Sequence, residues 1–319
     1  MKSCSDERNG FYPRCLETAN PDGRPVSQSA RRTLQLVEHL AEAGPSRLSS
    51  IASTLELNKT TTFRFVSALV EMGWVQQDPT TRVYGLSPRV LELGWMVLDR
   101  MEIRHEARPH LERLAELTSE TAHLGVLDGL EMVYIDKVDG RQAVSMASRI
   151  GARGACHSTA LGKVLLAARP EEEWARYVRD VGLARRTDHT FVGRKHFREE
   201  LERVRQRGFA IDNVENEDGI RCVAAPIRDH TGEVVAAMSV SGWTVSMTLE
   251  RLPEVIPLVT GRAASASAAL GCPTGDGAVS ISAAESTVLG ETERGLARPT
   301  RSIRRHPPAR TAGGSRPRP

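Results

Sequence analysis

One stretch constrains the fold of this chain more than any other. Between residues 29 and 84, apolar residues recur three times at helical spacing and then change to strand-like spacing. Two short helices are predicted from apolar positions that repeat every three or four residues: Leu34, Val37, Leu40 and Ala41, then Leu48, Ile51, Ala52 and Leu55. The pair Gly44-Pro45 ends the first of them. Each helix is expected to bury one face.

A third helix is predicted to begin after Asn58, whose side-chain oxygen can accept a backbone N–H of the first turn. Its inner side carries Thr62, Phe65, Val66 and Leu69, and Met72-Gly73 closes it. Its outer side carries Thr60, Thr61, Phe63, Arg64 and Ser67. Hydroxyl groups reach phosphates and arginine can read guanine, so this outer side suits the major groove of DNA.

Two strands are predicted directly after the third helix, at residues 74–77 and 82–84, around the turn Asp78-Pro79-Thr80-Thr81. Three helices followed by such a hairpin form the outline of a winged helix-turn-helix. The alternative is a small helical subdomain built by the same packing rules. The hairpin after a polar-faced helix favours DNA binding, and the predicted contacts are Lys59, Thr60, Thr61, Phe63, Arg64, Ser67 and Arg82.

Net charge adds little to this prediction. Residues 27–87 carry six basic and five acidic side chains, and residues 272–319 carry eight and four. DNA affinity would therefore depend on dimerisation and on the local placement of basic residues. The basic residues of the predicted domain are Arg31, Arg32, Arg47, Lys59, Arg64 and Arg82. Arginines in the final segment could add nonspecific affinity, and a solvated segment without function is the alternative.

The segment after the hairpin is predicted to be a connector helix that starts at Ser87-Pro88. It is apolar on more than one face, through Val90, Leu91, Leu93, Trp95, Val97, Leu98 and Met101. Such a helix must be buried against a second domain or a partner subunit. We favour a dimer-forming connector over a core helix within one chain. A second, amphipathic helix runs from Arg104 to Leu117.

The rest of the chain alternates strand and helix patterns. A hairpin turns at Asp128-Gly129, and a third strand is predicted at residues 144–147. Helices follow at 158–168, 171–180 and 194–207, strands at 209–213, 222–228 and 234–241, and a last helix at 249–270. Strands joined by hairpins and interleaved with helices predict an α+β domain on one antiparallel sheet.

Composition sets the remaining expectations. The N-terminus has no signal-peptide core, and the longest apolar runs fall well short of the roughly 20 residues of a membrane span. Five cysteines without CxxC spacing favour a reducing cytoplasm over a disulfide framework. We expect disorder in residues 1–26 and 272–319, a DNA-binding domain at 27–87, a connector at 88–104 and a second domain at 105–271. No cofactor, metal site or catalytic site is predicted.

Three motifs, in this order, resemble the IclR family of bacterial transcriptional regulators. The first is Asn58–Arg64 followed by Gly73-Trp74-Val75, and the second is His157–Lys163. The third runs from Gly208 through Asp212, Glu215, Gly219 and Cys222–Ile227 to Ser239–Gly242. The family usually has proline where this chain has Asn58, and commonly a polar residue where it has Phe63. The resemblance covers Ser27 to Leu270 and implies a GAF-like effector domain at the C-terminal side.

Members of this family hold a small molecule in the second domain, often a carboxylate metabolite or an aromatic acid. By resemblance, the effector site comprises Met146, Ala160, Leu161, Asp212, Cys222, Ser239 and Ser241. Ser239 and Ser241 alternate along a strand and so face the same side, and a helix that begins with Ser and Thr near Gly162 offers N–H groups to an anion. Asp212 would repel a carboxylate, so it is expected to accept from a ligand hydroxyl or to orient a donor.

Other functions stay open. Ser239 and Ser241 could instead satisfy strand backbone, and Cys222 could be an inert core thiol. Cys156, His157 and Cys222 could serve a redox- or metal-responsive regulator. A Cys-dependent hydrolase would use Cys156 or Cys222 with His157 and Asp212. We predict a regulator that binds operator DNA as a homodimer or tetramer and responds to a small organic acid.

Overall fold

The structure is a computed structural model that describes residues 27–141 and 148–273. Its first three helices are α1 (Gln28–Ala43), α2 (Leu48–Thr54) and α3 (Lys59–Glu71). They share a core with the hairpin that follows, formed by Leu36, Leu40, Ile51, Val66, Leu69, Val75 and Tyr84. The face predicted for α1 is partly wrong, because Leu34 is 64% exposed and Leu36, two positions on, is buried.

The ends of α3 are as the sequence predicts. The Asn58 side chain accepts the Thr61 N–H at 2.8 Å, and the helix closes at Met72, before Gly73 with φ +75°. The hairpin strands are β1 (Val75–Gln77) and β2 (Tyr84–Leu86), so the second strand begins two residues later than predicted. The delay has a local cause, because the Asp78 side chain accepts the Thr80 and Thr81 N–H groups and widens the turn.

Two helices follow the hairpin, α4 (Arg89–Asp99) and α5 (Glu102–Thr118), separated at residues 100–101. No residue of α4 is buried, and its exposed apolar side chains are Leu91, Leu93, Trp95, Met96 and Val97. The alternative of a core helix within one chain is therefore wrong. In α5, Ala107, Leu111 and Leu114 are buried as predicted, whereas Leu117 is 41% exposed.

The following residues form one antiparallel six-stranded sheet, which confirms the α+β prediction. Its strands are β3 (Thr121–Asp128), β4 (Glu131–Val138), β5 (Arg153–Gly154), β6 (Ala210–Asn213), β7 (Ile220–Arg228) and β8 (Val234–Trp243). The order across the sheet is β5-β4-β3-β8-β7-β6. A two-residue turn at Gly129-Leu130 joins β3 to β4, one residue later than the predicted Asp128-Gly129 turn, because Asp128 still pairs with Glu131. The strand predicted at 144–147 lies outside the described residues, as do the leader 1–26 and the tail from residue 274.

Helices cover both faces of this sheet. The helix α9 (Leu252–Ala269) packs with α5 on one face, after a 3₁₀ turn at Leu249–Arg251. On the other face lies α6 (Ala160–Ala167), with α7 (Glu171–Asp180) and α8 (Arg194–Arg207) packed on it. Ala210, Ala224 and Ala237 belong to the same core as α6, so alternate residues of β6, β7 and β8 face this helix. Across the described ranges, no helix combines the length and apolar character that crossing a membrane requires.

Candidate functional site

The outer side of α3 is open to solvent. Lys59, Thr60, Phe63 and Arg64 are exposed, and Thr61 and Ser67 are partly exposed. The inner side holds the helix in place, because Thr62, Val66 and Leu69 are buried. The structure thus brings six of the seven predicted DNA contacts together on the side of α3 that faces away from the domain core.

The seventh predicted contact, Arg82, lies apart from the other six, in the loop between β1 and β2. It is exposed and has φ +61°, a left-handed conformation that is uncommon for a residue with a side chain. The Gln77 side chain donates to the Arg82 carbonyl oxygen at 3.2 Å and steadies this loop. Arg32 was expected to be one of the basic residues that add DNA affinity. Its guanidinium instead donates to the Leu55 carbonyl oxygen at 2.9 Å and ties α1 to the end of α2.

A row of polar side chains crosses the sheet on the face that α6 covers. Asp212 on β6 pairs with Cys222 on β7, and Cys222 pairs with Ser241 on β8. Ser241 pairs in turn with Thr121 on β3. Ser239, two residues before Ser241, faces the same side. Four of the predicted effector residues therefore lie side by side on one surface.

The start of α6 lies beside this row. Ala160 and Leu161 are buried in the core that also contains Ala224 and Ala237, with Cys222 packed against it. Leu161 lies close to Gly125 on β3, where an added Cβ would meet its Cδ1 atom at 3.3 Å. The structure thus brings six of the seven predicted effector residues together. The seventh, Met146, lies outside the described residues.

At the N-terminus of α6, one of the N–H groups that the sequence predicts to be free is already bonded within the helix cap. Its cap is Thr159, whose side-chain oxygen accepts the Gly162 N–H at 3.1 Å. The first two helical residues, Ala160 and Leu161, carry the N–H groups that this cap does not satisfy. Gly162 itself serves close packing, because a Cβ at this position would collide with the Cys156 backbone. An anion at this end of the helix would meet two backbone N–H groups and the positive end of the helix dipole.

Asp212 organises the loop after β6. One of its carboxylate oxygens accepts the Glu215 N–H at 2.7 Å and the Asn216 N–H at 3.3 Å. Burial raises the pKa of Asp212 to about 6, while the nearby ammonium of Lys163 opposes the rise. Burial and the Asp212 carboxylate together raise the pKa of the Cys222 thiol well above its ordinary value. The thiol is therefore neutral near pH 7.

His123 is a site residue that the sequence did not point to. Its ring Nε2 lies 2.8 Å from the Ser148 hydroxyl, its Nδ1 lies 3.4 Å from the Ser241 hydroxyl, and the ring packs on Tyr134 at 5.2 Å between centroids. Burial lowers the pKa of His123 to about 3, so the ring is neutral. The only signal in the sequence was a histidine within a strand of the predicted hairpin. Thr121 was also missed, and its buried hydroxyl has no hydrogen-bond partner among the described residues.

A buried ion cluster fixes α6 against the polar row. The Lys163 ammonium donates to both carboxylate oxygens of Glu215, at 2.6 and 2.8 Å, and to the Ile211 carbonyl oxygen at 2.6 Å. It also reaches Glu200 on α8 at 3.5 Å. Burial opposes the charge on Lys163, but Glu215 and Glu200 outweigh burial and raise the pKa of Lys163. One ammonium thus joins α6, α8 and the end of β6.

The geometry does not support a catalytic thiol. The His157 ring lies 2.8 Å from the Tyr177 hydroxyl at one nitrogen and 2.8 Å from the Ala184 carbonyl oxygen at the other, so both nitrogens are engaged away from the thiols. Burial raises the pKa of Cys156 to about 12, which keeps this thiol protonated. Within residues 27–141 and 148–273, no group of three His, Cys, Asp or Glu side chains is arranged to hold a metal ion.

Comparison with known protein families agrees with both halves of the structure. The model of the IclR helix-turn-helix domain matches residues 29–79, and the model of the bacterial transcriptional regulator IclR C-terminal domain matches residues 95–268. The chain belongs to the IclR family of bacterial transcriptional regulators.

Individual IclR-family relatives match along almost their whole length. The chain is 33% identical to the HTH-type transcriptional regulator KdgR of Escherichia coli over 257 residues, which is 80% of this chain and 98% of KdgR. It is 36% identical to the regulator XynR of the same organism, over 69% of this chain and 88% of XynR. It is 32% identical to the repressor AllR of Salmonella typhi, over 79% of this chain and 93% of AllR.

Solved structures of similar proteins share the fold. The Thermotoga maritima IclR structure has a TM-score of 0.64 and 36% identity, over 76% of this chain and 98% of that one. A regulator from Rhodococcus has a TM-score of 0.68 and 32% identity, over 77% of this chain and 98% of that one. An IclR homologue from Microbacterium hydrocarbonoxydans was crystallised with 4-hydroxybenzoate, and at 24% identity and a TM-score of 0.67 it shows the fold alone. The chain is a transcriptional regulator with a helix-turn-helix DNA-binding domain and a C-terminal effector domain.

The ion cluster generates a prediction about stability. Lys163→Met would leave the buried Glu215 carboxylate without its cation, whereas Glu200 would keep its ion pairs with Arg203 and Arg207. We expect the free energy of unfolding near pH 8 to fall by about 3–5 kcal/mol. The loss should be smaller at pH 5. Burial raises the pKa of Glu215, and without Lys163 this pKa rises further, so the protonated form stabilises the variant at low pH and is lost as the pH rises.

Urea denaturation of the full chain at pH 5 and pH 8 measures both values. The control is Lys195→Met, the same substitution at an 86% exposed side chain on α8. An equal loss of stability in the two variants, or a loss from Lys163→Met that does not depend on pH, would contradict the structural role of the cluster.

Proposed function

We propose that this regulator binds an operator through α3 and the β1–β2 hairpin, and that a small organic acid bound beside α6 changes its affinity for that operator. The observation that carries the DNA half is the exposed outer side of α3, with Lys59 and Arg64 flanking hydroxyl side chains. Arginine and lysine neutralise phosphates, and arginine can also read guanine in the major groove. Arg82 on the hairpin loop would contact the backbone beside the groove.

The proposed effector binding is supported by the polar row under α6. A carboxylate fits the N–H groups of Ala160 and Leu161, because the helix dipole favours negative charge there. Hydroxyl groups of the same molecule fit two residues further along the polar row. Asp212 offers a hydrogen-bond acceptor and Ser239 offers a donor. The described side chains that line the row include no unpaired cation, since Lys163 is held by Glu215 and Glu200. An acid that carries hydroxyl or carbonyl oxygens is therefore the ligand class we propose.

The same proposal gives each segment a role. Residues 27–87 would bind DNA, residues 88–104 would connect and residues 105–271 would hold the effector. The exposed apolar side chains of α4 would pair two chains, so that two winged domains reach two half-sites of one operator. Operator DNA as the partner implies a cytoplasmic location.

Arg64→Ala is expected to weaken operator binding by about 1–3 kcal/mol and to relax base preference at one position of each half-site. The operator is first selected from a random duplex library with the wild-type chain, and the two proteins are then compared by fluorescence anisotropy. Arg176→Ala, at an exposed arginine on α7, is the matched control and should bind as the wild type does. Unchanged affinity and base preference in Arg64→Ala would remove this residue from the interface.

Ser239→Ala combined with Ser241→Ala is expected to leave operator affinity intact while reducing the response to the acid at least about tenfold, because two hydroxyl groups facing the ligand are lost. The ligand is identified by a thermal-shift screen of the full chain against organic acids that includes 4-hydroxybenzoate. Ser265→Ala, at a partly exposed position of α9, is the control. A full ligand response in the double variant would show that these serines lie outside the site.

Leu91→Glu combined with Val97→Glu is expected to shift the chain toward a monomer in sedimentation experiments and to weaken operator binding, because charges would replace the apolar contact between two α4 helices. Val245→Glu supplies the control, since Val245 is 86% exposed and lies outside α4. If the α4 variant sediments as the wild type does, pairing through this helix is wrong.

A further inference from the structure

The outer side of α3 carries one side chain that phosphate binding does not explain. Phe63 is 51% exposed. By contrast, Phe65, two residues later, is partly buried and packs against the core of the DNA-binding domain. An isolated exposed phenylalanine is ordinary on a protein surface. Phe63 differs because its neighbours on the helix are the residues proposed to touch DNA.

Helix geometry gives Phe63 a defined place on that surface. It is the fifth residue of α3, which begins at Lys59. Thr60 and Ser67 lie one turn away on either side of it, and Arg64 follows one step of about 100° around the helix. Residues near the N-terminus of a recognition helix contact base edges in the major groove. The ring is thus flanked by small hydroxyl side chains that do not cover it.

Among base edges in the major groove, one group suits a phenyl ring. Guanine, cytosine and adenine offer hydrogen-bond donors and acceptors, whereas thymine adds a 5-methyl group that apolar side chains contact. A phenyl ring placed against the polar edge of another base would desolvate it without replacing its hydrogen bonds. Lys59 and Arg64 beside the ring match the negative charge of the strands around that base.

We propose that Phe63 is a specificity-determining residue that reads the methyl group of a thymine in each half-site of the operator. This inference rests on the proposed function, since it requires α3 to lie in the major groove. Phe63 makes little contribution to the core of its own domain. Its substitution should therefore alter base preference and leave the fold intact.

The test removes the methyl group from the DNA. The operator selected by the wild-type full chain is resynthesised with each thymine replaced in turn by deoxyuridine, which lacks only the 5-methyl group. Loss of one buried methyl-sized contact is expected to weaken wild-type binding about fourfold at one thymine per half-site. Phe63→Ala should bind the original operator at least about fourfold more weakly and should be indifferent to deoxyuridine at that position. Phe63→Leu, which keeps an apolar side chain, should retain part of the dependence.

Two results would overturn the inference. The first is that the wild-type affinity stays unchanged when any thymine is replaced by deoxyuridine, a result that needs no protein variant. The same dependence in Phe63→Ala as in the wild type would show that the methyl group is read elsewhere or acts through DNA shape. Failure of the proposed function looks different, because the wild type would then select no sequence and Arg64→Ala would change nothing.

Discussion

A single buried ammonium group, that of Lys163, sets the geometry on which the effector domain depends. It joins α6 to Glu200 on α8, to the Ile211 carbonyl in β6 and to Glu215 in the loop that follows. A buried cation is tolerated only where its charge and its donors are fully paired, so each of these elements has one permitted position relative to the others. The start of α6 and the row from Asp212 to Ser241 are consequently held side by side.

The alternation of side chains along the strands determines which residues form the polar surface under α6. Val223 and Val240 face one side and enter the core, whereas Cys222, Ser239 and Ser241 face α6. A polar surface can exist inside the domain because its groups are mutually satisfied, through Asp212 and its backbone donors and through His123 between Ser241 and Ser148. The Thr121 hydroxyl at the end of the row is the exception, because it has no hydrogen-bond partner among the described residues. It is a group that a bound oxygen could satisfy.

Periodicity in the sequence predicted most elements of the fold. The cap at Asn58, the β3–β4 hairpin and the single antiparallel sheet follow from local residue chemistry that tertiary packing does not override. The buried face of α1 did not follow, because Leu34 and Leu36 are equally apolar and only the neighbouring helices decide which one is covered. The second hairpin strand was misplaced because Asp78 bonds two backbone N–H groups of its own turn.

Site residues were predictable only where a motif carried them. His123 and Thr121 meet Ser241 through strand pairing across more than 100 positions of sequence, which no local pattern encodes. The ion pairs of Lys163 span 37 and 52 residues for the same reason. The exposed apolar side of α4, by contrast, was visible in the sequence because no polar face could be assigned to it.

The proposed function requires a linkage between effector binding and operator binding in one protein. It is tested most directly by titrating the full chain with operator in the presence and absence of saturating acid, and by titrating the acid into free and operator-bound protein. Linkage requires that the acid change the dissociation constant of the operator by the same factor as the operator changes the dissociation constant of the acid. We expect this factor to be about fivefold or more. An acid that binds the effector domain and leaves operator affinity unchanged would contradict the claim.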